Sequence, residues 1–417
     1  MRKHRLLLLA GVLTIVAVVS TAIVSLSRLP PRTRPAPTTP WGEPDLQGIW
    51  TRDVDIPLER PAKYANQEFF SDAERQALDR QISDIIKRDS TDERRARGTE
   101  RDVNSEFTQE PFTIHLPVGK RTSLIVDPPD GRIPRFTPEA QKARAAFRQF
   151  QLALLQPTES CKEHQPGCAG GQYGPASPRR NETPPSYIGA GTNGGINRAD
   201  GPEDRTTTER CLGGTIPDFG NFIGGLSRIV QTPGAVSIVY DMGPGLGRPR
   251  IIPITTAPHL PATMHQWWGD SRGHWEGETL VVDVTNFSPK IDFQGSHEHL
   301  HLVERWTRVD AGTIDYVVTI DDPATWVRSW TARQELKKQS DSENRIYYEP
   351  RCHEGNYGLI ALLSGARESE RAFAQGRGPD PATMCIVIGG CGGFVRGGFA
   401  DAGADADPFQ SPPPRAP

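Results

Sequence analysis

The sequence predicts a mainly β protein: an antiparallel meander forming a barrel or sandwich, with a few peripheral helices and an N-terminal membrane segment. Three observations predict it. Between residues 226 and 351, short runs of alternating apolar and polar residues are separated by turn signals such as Pro233-Gly234 and Asp310-Ala311-Gly312-Thr313. Gly and Pro number 41 and 38 among 417 residues, well above their usual joint share of roughly 12 %, which argues against a mostly helical chain. Helical periodicity is confined to a few windows outside the meander.

The elements follow in chain order. Residues 1–5 read Met-Arg-Lys-His-Arg, and residues 6–26 are apolar except for Thr14, Ser20, Thr21 and Ser25. As a helix this run would be roughly 31 Å long, enough to cross a bilayer core. A basic start before such a run marks 1–28 as a signal peptide or a signal anchor, and its length favours an uncleaved anchor in the inner membrane. The bulk of the chain would then be periplasmic or otherwise extracytoplasmic. Residues 29–44 contain six prolines, Pro30, Pro31, Pro35, Pro37, Pro40 and Pro44, and read as an extended spacer.

A mainly β domain is expected over 45–374. Its first strand is 46–51. Ser71-Asp72-Ala73-Glu74 is a capping box, and Ala77, Leu78, Ile82, Ile85 and Ile86 share one helical face, predicting a helix over 72–88. A strand over 121–126 runs into the turn Asp127-Pro128-Pro129-Asp130-Gly131. Thr137 as N-cap and Pro138 in the first turn open a helix over 138–155. Residues 156–208 are rich in Gly, Pro, Ser, Thr and Asn without periodicity and read as an irregular insertion. Strands are expected at 229–232, 236–240, 250–254, 275–276, 279–284, 300–309, 314–320, 325–335 and 345–351. A helix follows from Gly355 to about 373. The Gly-, Pro- and Ala-rich stretch 375–417 reads as a flexible tail.

The charges nearly balance, 48 Lys+Arg against 51 Asp+Glu, for a net of −3. Without residues 1–28 the balance is 44 against 51. That excludes a nucleic-acid binder read on charge and limits membrane contact to the N-terminal segment. Six cysteines suit an oxidising compartment. Cys161 and Cys168 are close in sequence, as are Cys385 and Cys391, whereas Cys211 and Cys352 stand alone. Fifteen pairings are open; two local loops with a long Cys211–Cys352 staple are the expected set. No Cys-x-x-Cys spacing occurs, so a structural zinc has no support.

The chemistry-bearing residues concentrate in the meander. Seven of ten histidines fall between 259 and 353, and six of eight tryptophans between 267 and 330. On a strand, His297, His299 and His301 would share a face, which makes them candidate ligands for zinc or another transition ion, with Asp270 or Glu349 completing the sphere. The stretch 267–277 reads as a Gly-punctuated loop. There Asp270 and His274 could act as an acid–base pair with Arg272 holding an anionic group. In the structural alternative, Asp270 makes an Asx-turn and Arg272 pairs with Asp270 or Asp283. Glu304 shares its strand face with Leu302, so it must be paired or line a cavity. It joins Asp270, Arg272 and His274 as the candidate catalytic set. Trp267, Trp268, Trp275 and Trp306 are the candidate walls of a ligand pocket. Cys352-His353-Glu354 sits where the last strand meets a helix, as a helix cap or as a reactive pair. No Gly-x-Ser-x-Gly elbow, phosphate loop, His-Glu-x-x-His or dinucleotide fingerprint is present.

Four segments carry a resemblance: 44–50 (PDLQGIW), 122–132 (TSLIVDPPDGR), 268–282 (WGDSRGHWEGETLVV) and 352–357 (CHEGNY). Together they resemble a family of exported bacterial proteins without an assigned activity. The resemblance spans 40–370 and implies export. It assigns no catalytic residue, and the chain departs from the family pattern in 156–208 and in its long tail. Gly48-Ile49-Trp50 is also similar, more loosely, to the Gly-x-Trp on the first strand of lipocalin-like barrels. The leading functional expectation is an exported or membrane-anchored barrel-like protein binding a small, partly apolar ligand in a Trp- and His-lined cavity. One alternative is a hydrolase or lyase, metal-dependent if the histidines ligate, using the Asp270/His274 loop and the His297/His299/His301 face. The other is an envelope scaffold. The residues do not decide an oligomeric state.

Overall fold

The computed structural model describes residues 37–91, 116–189, 195–219, 226–240, 249–340, 357–387 and 391. The signal segment 1–28, Cys352, His353, Glu354, the strand expected at 345–351 and residues 392–417 lie outside the described residues. Among the described residues no helix is long and apolar enough to cross a membrane.

Among the described residues, ten strands make one sheet: β1 Gly48–Thr51, β2 Ile125–Asp127, β3 Ser227–Thr232, β4 Ala235–Tyr240, β5 Pro249–Pro253, β6 Asp270–Glu276, β7 Thr279–Thr285, β8 His301–Asp310, β9 Thr313–Asp321 and β10 Trp330–Lys338. The order is β5-β4-β3-β1-β10-β9-β8-β7-β6, every pairing being antiparallel, and β2 adds to β10. β1 and β2 share one edge of β10, β1 at Lys337 and Lys338 and β2 at Thr331 and Ala332. The two end strands meet: Ile254 bridges Gly273 in parallel, and Thr255 N–H donates to the Gly273 carbonyl at 2.9 Å. The sheet therefore curls into a nearly closed barrel.

Alternation sets what points inward. β3 buries Ser227, Ile229 and Gln231; β4 buries Val236, Ile238 and Tyr240; β8 buries Leu302, Glu304 and Trp306; β9 buries Ile314, Tyr316, Val318 and Ile320. The apolar and aromatic members of this set join Trp50, Trp330 and Ala332 in one core cluster. At the seam Gly273 leaves room for its neighbours, because a Cβ there would stand 2.9 Å from Ile252 Cγ2 and from Ile254 Cδ1. The Pro233-Gly234 hairpin forms as the sequence predicts, with Gly234 at φ +84°.

Helices lie outside the sheet: α1 Asp72–Thr91, α2 Pro138–Leu155, α3 Glu159–Lys162 and α4 Tyr357–Ala374. The Ser71/Glu74 capping box forms, with Glu74 accepting from Ser71 N–H at 2.7 Å. Thr137 caps α2 by accepting from Ala140 N–H at 3.1 Å.

Several boundaries differ from expectation. The 267–277 stretch is mostly strand, not loop, since β6 begins at Asp270. The last described strand starts at Trp330 rather than 325. Asp322 holds the preceding segment in a turn by accepting from Ser296 Oγ, Ala324 N and Thr325 Oγ1. Residues 37–44 fold into a turn bridged at Thr38 and Pro44, so any spacer ends before them. The described parts of the 156–208 insertion, residues 156–189 and 195–208, are tightly held. Arg198, almost wholly buried, makes a two-pronged ion pair with Asp204 at 2.9 and 2.7 Å and donates to the Arg180 and Glu182 carbonyls at 2.7 Å each. The start of the expected tail packs on the same unit: Asn197 donates to the Met384 carbonyl and accepts from Ile386 N–H. Disulfides join Cys161 to Cys168 and Cys385 to Cys391, and Cys211 is disulfide-bonded too.

Candidate functional site

Among the described residues, the barrel interior contains a polar cluster centred on Glu304. Glu304 is fully buried on β8. Its Oε2 receives Arg250 Nη2 from β5 at 2.5 Å, and its Oε1 receives the Tyr316 hydroxyl from β9 at 2.8 Å. Arg250 Nε and Nη2 also donate to Ser271 Oγ on β6, each at 3.1 Å. Each partner sits there because it alternates with an inward apolar residue: Arg250 with Ile252, Tyr316 with Ile314 and Val318, Glu304 with Leu302. Burial works against the Arg250 charge. The adjoining Glu304 carboxylate, helped by Tyr240, more than offsets this and holds its pKa above the ordinary arginine value. Burial pushes the Tyr240 hydroxyl up, and burial followed by the Glu304 charge does the same to Tyr316.

The cluster has surplus donors. Arg250 interacts with Tyr240, yet its Nη1 has no hydrogen-bond partner among the described residues, and neither has Trp306 Nε1. Trp306 lies against Tyr316 with ring centroids 4.2 Å apart. Tyr240, Trp306 and Tyr316, with Ser227, Gln334 and Leu336, line a small cavity whose enclosed part has room for about one water molecule. Arg52 and Asp218 complete its lining.

The outer face of the barrel carries a second constellation. Asp270 Oδ2 accepts from His259 Nδ1 at 2.9 Å and from Leu260 N–H at 2.9 Å, and Asp270 Oδ1 accepts from Arg272 Nη1 at 2.7 Å. His259 Nε2 is 2.7 Å from Asp283 Oδ1, and His301 Nε2 is 3.0 Å from Asp283 Oδ2. Two carboxylates and two imidazoles thus alternate in a chain anchored by Arg272. The hydrogen bond from His301 is the main reason the Asp283 carboxyl lies below its ordinary pKa, and the same bond raises His301.

The predicted site residues divide between these places. Glu304 is paired and buried, as its face requires. Asp270 and Arg272 are paired with each other. His274 is not the partner of Asp270: four residues along one strand separate them by about 13 Å, and His274 faces solvent beside Glu276 at 3.3 Å. The partner is His259, from the loop before β6. His297 and His299 lie in the turn preceding β8, and only His301 is in the strand, so the three imidazoles do not share a strand face. His297 Nδ1 is held instead by the Ile291 carbonyl. Among the described residues no group of three His, Cys, Asp or Glu is arranged to hold a metal ion; Glu349 lies outside them. Of the four tryptophans, only Trp306 lines the interior cavity. Trp267, Trp268 and Trp275 are partly buried against the core, with Trp268 Nε1 donating to the Gly214 carbonyl at 3.2 Å.

The sequence does not single out Arg250, Tyr240, Tyr316 or His259, and offers Asp283 only as a partner for Arg272. For Arg250 and Tyr316 a signal existed, since both keep the period of the inward apolar set. Comparison with protein-family models, curated proteins and solved structures gave no match.

Proposed function

We propose that this protein is an exported binding protein whose barrel holds the hydrogen-bond-accepting end of a small, partly apolar molecule against Tyr240, Trp306 and Tyr316. The observation that carries this reading is the buried donor Trp306 Nε1, which has no hydrogen-bond partner among the described residues and lines an interior cavity. Buried donors without acceptors are costly, and a carbonyl or carboxylate entering the cavity would relieve that cost. The enclosed part of the cavity accepts only the polar tip of a ligand. Export rests on the basic and apolar N-terminal run, with the disulfides as support. Titration of tryptophan fluorescence with a panel of apolar carboxylates and ketones tests the reading. A saturable change is expected, weakened about tenfold or more by Tyr240→Phe or Trp306→Phe. A flat wild-type signal across the panel would refute it.

A second reading, acid–base catalysis, is favoured by the Asp270–His259–Asp283–His301 chain. It replaces His274 with His259 as the partner of Asp270. Turnover of an ester panel that disappears in His301→Gln would support it; no turnover by the wild type would remove it.

A further inference from the structure

The 156–208 insertion encloses a groove of about 450 Å³, between residues 180–188 on one side and 198–204 on the other. That is a usual size for a small-molecule site. Its two sides are fixed to each other from below. Arg198 donates to the Arg180 and Glu182 carbonyls on one side and clasps Asp204 on the other, so the groove exists before any ligand arrives.

The charges along it are unequal in one respect. Each acid has an arginine near it: Glu182 has Arg179 at 2.9 Å, Asp204 has Arg198 at 2.7 Å, Asp200 has Arg198 at 3.5 Å, and Glu203 has Arg210 at 3.6 Å. Arg180 has no carboxylate within ion-pair distance among the described residues. Its one side-chain hydrogen bond among the described residues is from Nη1 to the Asn197 carbonyl at 3.2 Å. Asp200, Asp380 and Asp204 reach it only at longer range. Burial weighs against its charge and lowers its pKa. Alongside is an apolar strip of Pro184, Tyr187 and Ile188. Two further cations flank the Tyr187 ring, Lys290 Nζ at 5.4 Å and Arg210 at 5.8 Å from its centroid.

We propose that this groove is a second binding site, separate from the barrel, for a small organic carboxylate with a flat apolar body. The carboxylate would pair with the Arg180 guanidinium through its free N–H groups, and the body would lie along Tyr187 and Pro184. Calorimetric titration of the full chain with benzoate, benzamide and benzylamine tests it. Benzoate is expected to bind saturably and the other two not. Arg180→Gln should weaken benzoate at least about tenfold, with Arg180→Lys keeping part of the affinity. Dependence on Arg180 separates this site from binding in the barrel. A measurement without a variant guards against misfolding: benzoate should protect Arg180 of the wild type from phenylglyoxal, read by mass spectrometry. Absent benzoate binding, equal binding of benzylamine, unchanged affinity in a folded Arg180→Gln, or unprotected Arg180 at saturating benzoate would each overturn the proposal.

Discussion

Glu304, Arg250 and Tyr316 come from three strands and meet inside the barrel with Glu304 at 0 % exposure. A buried pair of this kind adds little net stability, but removing one member strands the other. Glu304→Ala should therefore lower unfolding stability by about 3–5 kcal/mol in urea titration. The double variant Glu304→Leu/Arg250→Met should recover most of that loss. A double variant no more stable than Glu304→Ala would show that lost packing, not the stranded charge, sets the cost.

On the outer face, the Asp283–His301 bond makes a pH prediction whose sign follows from both partners. His301 is raised in the folded protein, so its contribution is present below its unfolded value and is lost as pH rises through the folded one. Asp283 is lowered, so its contribution is present above the unfolded carboxylate value and is lost as pH falls through the folded one. The pair thus stabilises the fold between the folded pKa of Asp283 and that of His301, and weakens at both ends. Both side chains are 39 % exposed, so the effect on stability is small. The clearer measurement is histidine NMR titration, in which Asp283→Asn should bring the His301 pKa down. An unmoved His301 would refute the coupling. None of this pairing was legible from residue spacing, because His259 lies eleven positions from Asp270 on a loop whose path the sequence does not specify.

At the scale of elements, the alternation of β3, β4, β8 and β9 was readable because a half-buried strand must repeat every two residues. The same rule misplaced His297 and His299. The strand does not extend back to them, since Phe293 and Ser296 pair across a tight turn and residues 297–300 lead out of it. It also left β6 as a loop, because Gly269, Gly273 and Gly277 resemble turn residues. Gly273 instead serves close approach, standing where β5 meets β6. Gly273→Val should overpack the seam and cost about 1–3 kcal/mol. Thermal unfolding would register the loss, and hydrogen exchange should show a less protected Thr255 amide. A variant as stable as the wild type would mean that the seam has slack.

For the molecule as a whole, the barrel and the insertion are stabilised by different means. The barrel relies on one large apolar cluster that surrounds the Glu304–Arg250 pair. The insertion packs in small clusters with α2 and the tail, one made of Leu152, Leu155, Cys161, Cys168 and Cys391, together with buried arginine pairs and the disulfides. In the chain-entropy view each short disulfide loop contributes about 2–3 kcal/mol. Reduction is therefore expected to raise hydrogen exchange in residues 156–211 and 380–387 while β7, β8 and β9 keep their protection. Equal loss in both regions would show that the two unfold as one unit.

By itself the sequence determined the mainly β class, the hairpins, the two capped helices and the need for Glu304 to find a partner. Each of these follows from local rules, namely side-chain period, turn chemistry and the cost of burying a charge. Only the tertiary structure decided that β1 lies between β3 and β10, that Arg250 faces Glu304, that His259 rather than His274 joins Asp270, and that the insertion forms a groove. Those outcomes depend on which strands become neighbours when the sheet closes, and that is set by the packing of side chains far apart in the chain.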